Sequence, residues 1–219
     1  MTPGLRERRK QETRQAISDV ATGMFITRGF DAVTISQVAE AAGVAKMTVT
    51  NYFPRKEDLV FDRAEAIVRS LANVIATRQD GESILAAIRR DYAERAARAD
   101  VTLGLSSPEF ARMINRSPVL AARNREILEQ AERALGDAIA AETGVEDVQQ
   151  RVVAGLLASV HRALYAEASR RSLAGERRGD ICVVLATAAT RAFDLLEPAL
   201  SSYGIRAAPA LGEPGRDLV

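Results

Sequence analysis

Apolar side chains recur along this chain at intervals of three and four, the spacing that lays one stripe along a helix. Over residues 6–28, Ile17, Val20, Ala21, Met24 and Phe25 fall on one face, and Gly29 supplies a stop. Residues 56–77 read as one long helix striped by Leu59, Val60, Ala64, Ile67, Val68, Leu71, Val74 and Ile75, and residues 82–99 carry Ile84, Leu85, Ile88 and Tyr92. Ser107-Pro108 and Ser117-Pro118 pair a capping serine with proline in a first helical turn. They predict a short helix bearing Phe110, Met113 and Ile114, then a longer one reaching Thr143 before Gly144. Residues 146–172 (Val152, Val153, Leu156, Leu157, Val160, Leu164) and 180–197 (Ile181, Val184, Leu185, Ala188, Ala189, Phe193, Leu196) are apolar over wide faces, and Pro198 ends the second. Residues 1–5 and the Ala-, Gly- and Pro-rich 199–219 read as loose ends. With no alternating strand pattern and no repeat, the expected fold class is all-α.

Residues 34–53 break this regularity. Thr34 with Gln37 three residues on forms a capping box, and Val33 with Val38 is placed for a hydrophobic staple. Ile35, Val38, Ala39 and Ala42 make a narrow stripe, and Gly43 is free to take the left-handed conformation that ends a helix. The segment that follows buries only Val49 and Phe53, leaving Lys46, Met47, Thr48, Thr50, Asn51 and Tyr52 pointing elsewhere. So little apolar surface cannot fill a core; neighbours must hold this helix so that its polar side touches something. A helix-turn-helix does this, setting the start of its second helix in a DNA major groove.

The run Val44-Ala45-Lys46-Met47-Thr48-Val49-Thr50-Asn51-Tyr52-Phe53-Pro54-Arg55-Lys56-Glu57-Asp58-Leu59 resembles the recognition-helix signature of TetR-type bacterial transcriptional regulators. The likeness extends over roughly residues 10–60, with Thr50 where the family usually has an aromatic. It implies a three-helix DNA-binding domain (1–55), a larger helical domain for effector binding and dimerisation (56–198) and a flexible tail (199–219). Lys46 and Thr48, near the start of the second helix, suit base edges, with Lys46 donating to guanine and Met47 or the Thr48 methyl meeting thymine. Tyr52 and Lys56 suit phosphates by resemblance, and so do Thr34 and the N–H groups beside it. Thr50 and Asn51 complete the candidate DNA-contacting set, Asn51 either reading adenine or facing solvent.

Charge agrees with a small basic head on a larger body. The 219 residues carry a net charge of only +1, yet residues 1–56 hold nine Lys/Arg against five Asp/Glu and the remainder 21 against 24. Arg6, Arg8, Arg9, Lys10 and Arg14 open the first helix, either as a solvated start or as phosphate contacts. No run reaches the roughly 18 apolar residues of a membrane span, the N-terminus lacks a secretory pattern, and the single Cys182 suits a reducing cytoplasm. One His, one Cys, no metal-ligand spacing and no Gly-rich phosphate loop or nucleophile elbow leave no catalytic residue, metal or cofactor proposed by sequence.

For the body, the resemblance implies a small-molecule effector of unknown identity. Tyr92, Phe110, Met113, His161 and Tyr165 are the candidate cavity residues, as adaptable or polar-tipped groups among aliphatic helices. The two wide apolar faces within 146–197 suit a four-helix interface with a second copy. The expected protein is thus a homodimeric repressor on a near-palindromic double-stranded DNA operator. An activator or architectural DNA binder without effector, and a helical protein-interaction module, remain the alternatives.

Overall fold

The computed structural model describes residues 4–144 and 146–207. Among the described residues ten α-helices run in order: α1 (Leu5–Arg28), α2 (Ile35–Ala41), α3 (Lys46–Tyr52), α4 (Ala64–Thr77), α5 (Ile84–Ala97), α6 (Pro108–Arg116), α7 (Pro118–Thr143), α8 (Val148–Leu173), α9 (Arg178–Asp194) and α10 (Glu197–Leu200). The fold is all-α, with no strand among the described residues.

In the head, α1 buries Ile17, Ala21 and Phe25 against Val33, Val38 and Ala39 beneath α2 and Val49 beneath α3. The capping box forms in full: the Gln37 N–H donates to Thr34 Oγ1, and the Thr34 N–H donates to Gln37 Oε1 at 2.8 Å. Gly43 takes φ +66° between α2 and α3, a conformation that a Cβ would oppose.

Residues 56–77 are not one helix. A 3-10 turn spans Lys56–Leu59, the chain then breaks, and α4 starts at Ala64. The break has a packing cause. Leu59, Val60 and Phe61 are all buried, and three consecutive side chains on a helix would sweep most of its circumference, so one would face water. Asp58 fixes the turn by accepting the Arg55 N–H.

The head core does not close at residue 55. Leu59, Val60, Phe61 and Ile67 join one apolar cluster with Met113, Leu120 and Ile127 from α6 and α7, so head and body share packing. A second cluster fills the far half of the body from α4, α5, α7, α8 and α9. There α7 and α8 approach closely at Gly136, whose carbonyl accepts the buried Gln150 amide and which leaves room for Ala154.

Residues 199–207 are docked, which corrects their reading as the start of a loose tail; residues 208–219 lie outside the described residues. Leu200 is buried, and the Gly81 N–H donates to the Arg206 carbonyl at 2.9 Å while the Arg206 N–H donates to Glu82. The Arg206 guanidinium reaches the Glu142 carboxylate and the Ala76 and Arg78 carbonyls, bracing the ends of α4 and α7.

Candidate nucleic-acid interface and effector cavity

Two residues hold α3. Val49 and Phe53 are fully buried, and Arg14 of α1 donates to the Tyr52 carbonyl at 2.7 Å while lying 4.3 Å over the Phe53 ring. Arg14 thereby locks α1 to the end of α3, so its role is structural. The opposite side of α3 is open. Lys46, Met47 and Asn51 are exposed, Met47 at 69%, with Thr48 half-buried beside them. This is the pattern of a mounted, outward-facing helix.

Other candidates are spoken for. The Thr50 hydroxyl donates back to the Met47 carbonyl at 3.1 Å, and the Thr34 hydroxyl serves its capping box. Tyr52 is half-buried against the head core. Lys56 turns inward: its ammonium donates to the Phe30 carbonyl at 2.6 Å and lies 4.3 Å over the Phe30 ring. A phosphate would have to displace a carbonyl and a cation–π contact together, so Lys56 is a brace within the head.

Beside the head lies a cavity of about 1150 Å³, with walls from α1, the Val60–Ala64 hinge and α6, α7 and α8. Drug-sized ligands occupy cavities of roughly 300–1000 Å³, so this one has room. Phe110 and Tyr165 line it, together with Phe61, Ile67, Leu105 and Leu128. Tyr165 is fixed at both ends. Its hydroxyl donates to Asn124 Oδ1 at 3.1 Å, and Gly104, at φ +90°, lies so close that a Cβ there would meet the Tyr165 carbonyl at 2.8 Å. Burial pushes the Tyr165 hydroxyl up to about 12, so it remains a neutral donor.

The other three cavity candidates lie elsewhere. Met113 is buried in the cluster shared by head and body. Tyr92 packs edge-on to Phe193 in the far core, with ring centroids 6.0 Å apart. His161 is buried one turn before Tyr165, and neither ring nitrogen has a hydrogen-bond partner among the described residues. Burial, reinforced by Arg95 and Arg162, holds its pKa down at about 4.

Sequence reasoning missed the ionic join between head and body. Arg123 of α7 donates to Asp58 Oδ1 from Nε at 3.1 Å and from an Nη at 2.8 Å, and also pairs with Glu126. Glu126 in turn meets Arg55 at 2.9 Å. Asp58 and Arg123 are 65 positions apart, and only their unlike charges gave a hint. The neighbouring α7 residues Asn124 and Arg125 line the cavity.

The model for bacterial regulatory proteins of the tetR family matches residues 17–62. The HTH-type transcriptional regulator TcmR of Streptomyces glaucescens is 27% identical over 173 residues, covering 75% of this chain and 76% of TcmR. The HTH-type transcriptional regulator RutR of Escherichia coli K12 is 33% identical over 96 residues, 44% of this chain and 41% of RutR. Among solved structures, SmeT in a SmeT–triclosan complex has a TM-score of 0.56 at 17% identity, covering 93% of this chain and 99% of that one. Its likeness shows the fold.

Proposed function

Since this chain is a DNA-binding helix-turn-helix regulator of the TetR family, we propose that it is a repressor that grips a near-palindromic operator as a homodimer and changes grip when a small molecule enters its cavity. The observation that carries the reading is the mounting of α3: two fully buried anchors on one side, and Lys46, Met47 and Asn51 exposed on the other. In this reading Lys46 donates to guanine, Met47 and Thr48 meet thymine methyls, and Asn51 reads adenine. Exposed Arg6, Arg8, Arg9 and Lys10 at the start of α1 supply phosphate contacts.

A dimer is supported by the outer surface of α8 and α9. Val152 and Leu156 on α8 and Val183 on α9 are exposed, while their neighbours Val153, Leu157 and Leu185 are buried. The broad apolar faces read in the sequence thus split into an inner and an outer half. The outer half suits an isologous four-helix contact. Two heads related by that axis would address half-sites about 34–36 Å apart or a multiple of it.

Selection of duplexes from a randomised pool, followed by gel retardation across salt concentrations, tests the reading. The expected product is a near-palindrome bound with steep salt dependence. Lys46→Ala should lose about 1–3 kcal/mol per half-site and relax the same base pair in both. Retardation without sequence selection would reject a specific regulator. Specificity unchanged in the Lys46 variant would remove Lys46 from base readout.

A further inference from the structure

The cavity beside the head is not electrically neutral in its layout, and this bears on what fits it. Three of the charged side chains on its wall are already in ion pairs. Arg162 is paired with Glu132, Arg170 meets Glu167 at 2.7 Å, and Glu176 is held by Arg171 at 2.7 Å. Arg178 donates to the Ala99 carbonyl. Near the head, Asp19, Asp62 and Arg63 also line it, with no ion pair between them among the described residues. On α7, Arg125 lines the cavity with no ion-pair or hydrogen-bond partner among the described residues. Next to it Asn124 has its Oδ1 occupied by Tyr165, which leaves the amide hydrogens of Nδ2 to donate. The α7 wall therefore offers an unspent guanidinium with an unspent amide donor beside it, whereas on the head-side rim the Arg63 guanidinium shares the space with two carboxylates.

Resting on the reading of this cavity as the effector site, we propose that it takes an apolar organic acid. The carboxylate lies at the corner formed by Asn124, Arg125 and Tyr165, and the apolar body lies against Phe61, Ile67, Phe110 and Ile114, all on the cavity wall. A carboxylate accepts from a guanidinium in the fork geometry that an alcohol cannot match. Fixing Tyr165 between Gly104 and Asn124 holds the corner in place before the ligand arrives, which limits the ordering cost of binding.

The full chain contains no Trp, so pyrene fluorescence reports binding without indole overlap. The probes are 1-pyrenebutyrate, 1-pyrenebutanol and the corresponding pyrenebutyl-trimethylammonium, which share the pyrene and a four-carbon chain and differ in the charge of the end group. The acid should bind about tenfold or more tightly than the alcohol. Arg125→Ala should abolish that advantage without changing the affinity for the alcohol, and Arg125→Lys should keep part of it. Arg125 is exposed, so these variants fold as the parent does. The proposal is overturned if the acid fails to bind, if the ammonium probe binds as well as the acid, or if Arg125→Ala leaves the preference intact. Gel retardation run in parallel separates this from the effector reading. Acid that binds at Arg125 yet leaves DNA retention unchanged would sink the effector role and keep the ligand class; DNA release by acid and alcohol alike would do the reverse.

Discussion

If the Asp58–Arg123 pair sets how the head stands on the body, breaking it should cost stability and DNA affinity together. Both side chains are mostly buried, at 15% and 13% exposure. Removing Arg123 leaves Asp58 without its counter-ion, a loss of about 3 kcal/mol, whereas removing Asp58 leaves Arg123 still paired with Glu126, a loss of about 2 kcal/mol. Asp58 also accepts the Arg55 N–H at 3.2 Å as the cap of the 3-10 turn, a further loss of about 1 kcal/mol. Asp58→Ala and Arg123→Ala should therefore each lower unfolding free energy by about 3 kcal/mol. The double variant should fall short of their sum by about 1–2 kcal/mol, because the pair can be broken only once. The companion Arg55–Glu126 contact is 48% and 38% exposed and adds little. Urea titrations of the four proteins give the coupling directly. Asp58→Asn, which keeps an acceptor for the cap but not the charge, isolates the ionic part and should weaken operator binding with the fold intact. A coupling under about 0.3 kcal/mol, the additivity expected of independent sites, would refute the idea that this pair joins head to body.

Three further outcomes follow from the geometry. His161 titrates near 4 instead of 6.5, so between those values the unfolded chain binds the proton and the folded chain does not. Stability should fall by about 3 kcal/mol as pH drops through that window, and His161→Leu should remove that share of the acid sensitivity in urea titrations at pH 7 and pH 4.5. Gly104→Ala places a Cβ at φ +90° against the Tyr165 carbonyl; it should cost about 2 kcal/mol or more, lower Tm by about 5 °C and weaken cavity ligands. Leu156→Glu, on the outer face of α8, should give a helical monomer in sedimentation runs, and an unchanged dimer would move the interface elsewhere.

Features written in neighbouring residues were legible in the sequence, and those written across the fold were not. The Thr34–Gln37 box, the Gly43 turn and the Ser117-Pro118 start depend on residues a few positions apart, so they could be read directly. The break between Leu59 and Ala64 was missed because neither Pro nor Gly marks it, although the three adjacent apolar residues Leu59, Val60 and Phe61 were a usable signal. Lys56 reads as a surface cation because the groups that turn it inward, Phe30 and Phe25, lie far back along the chain. Of the five cavity candidates, Phe110 and Tyr165 line the space and Met113, Tyr92 and His161 do not. Which face of a helix meets a void depends on how its neighbours cross it, and no local pattern records that.

The clasp formed by Arg206 has a consequence for how the polypeptide is made. Everything that the reading head packs on has been synthesised once Ile127 has emerged, so that part can gather while translation continues. The far half has no such head start: its core draws on α9 as far as Phe193 and on Leu200, and the Arg206 clasp follows some eighty residues after Ile127. Birth order thus imposes a sequence of maturation, and a message cut short before residue 206 would yield a finished reader on an unfastened body.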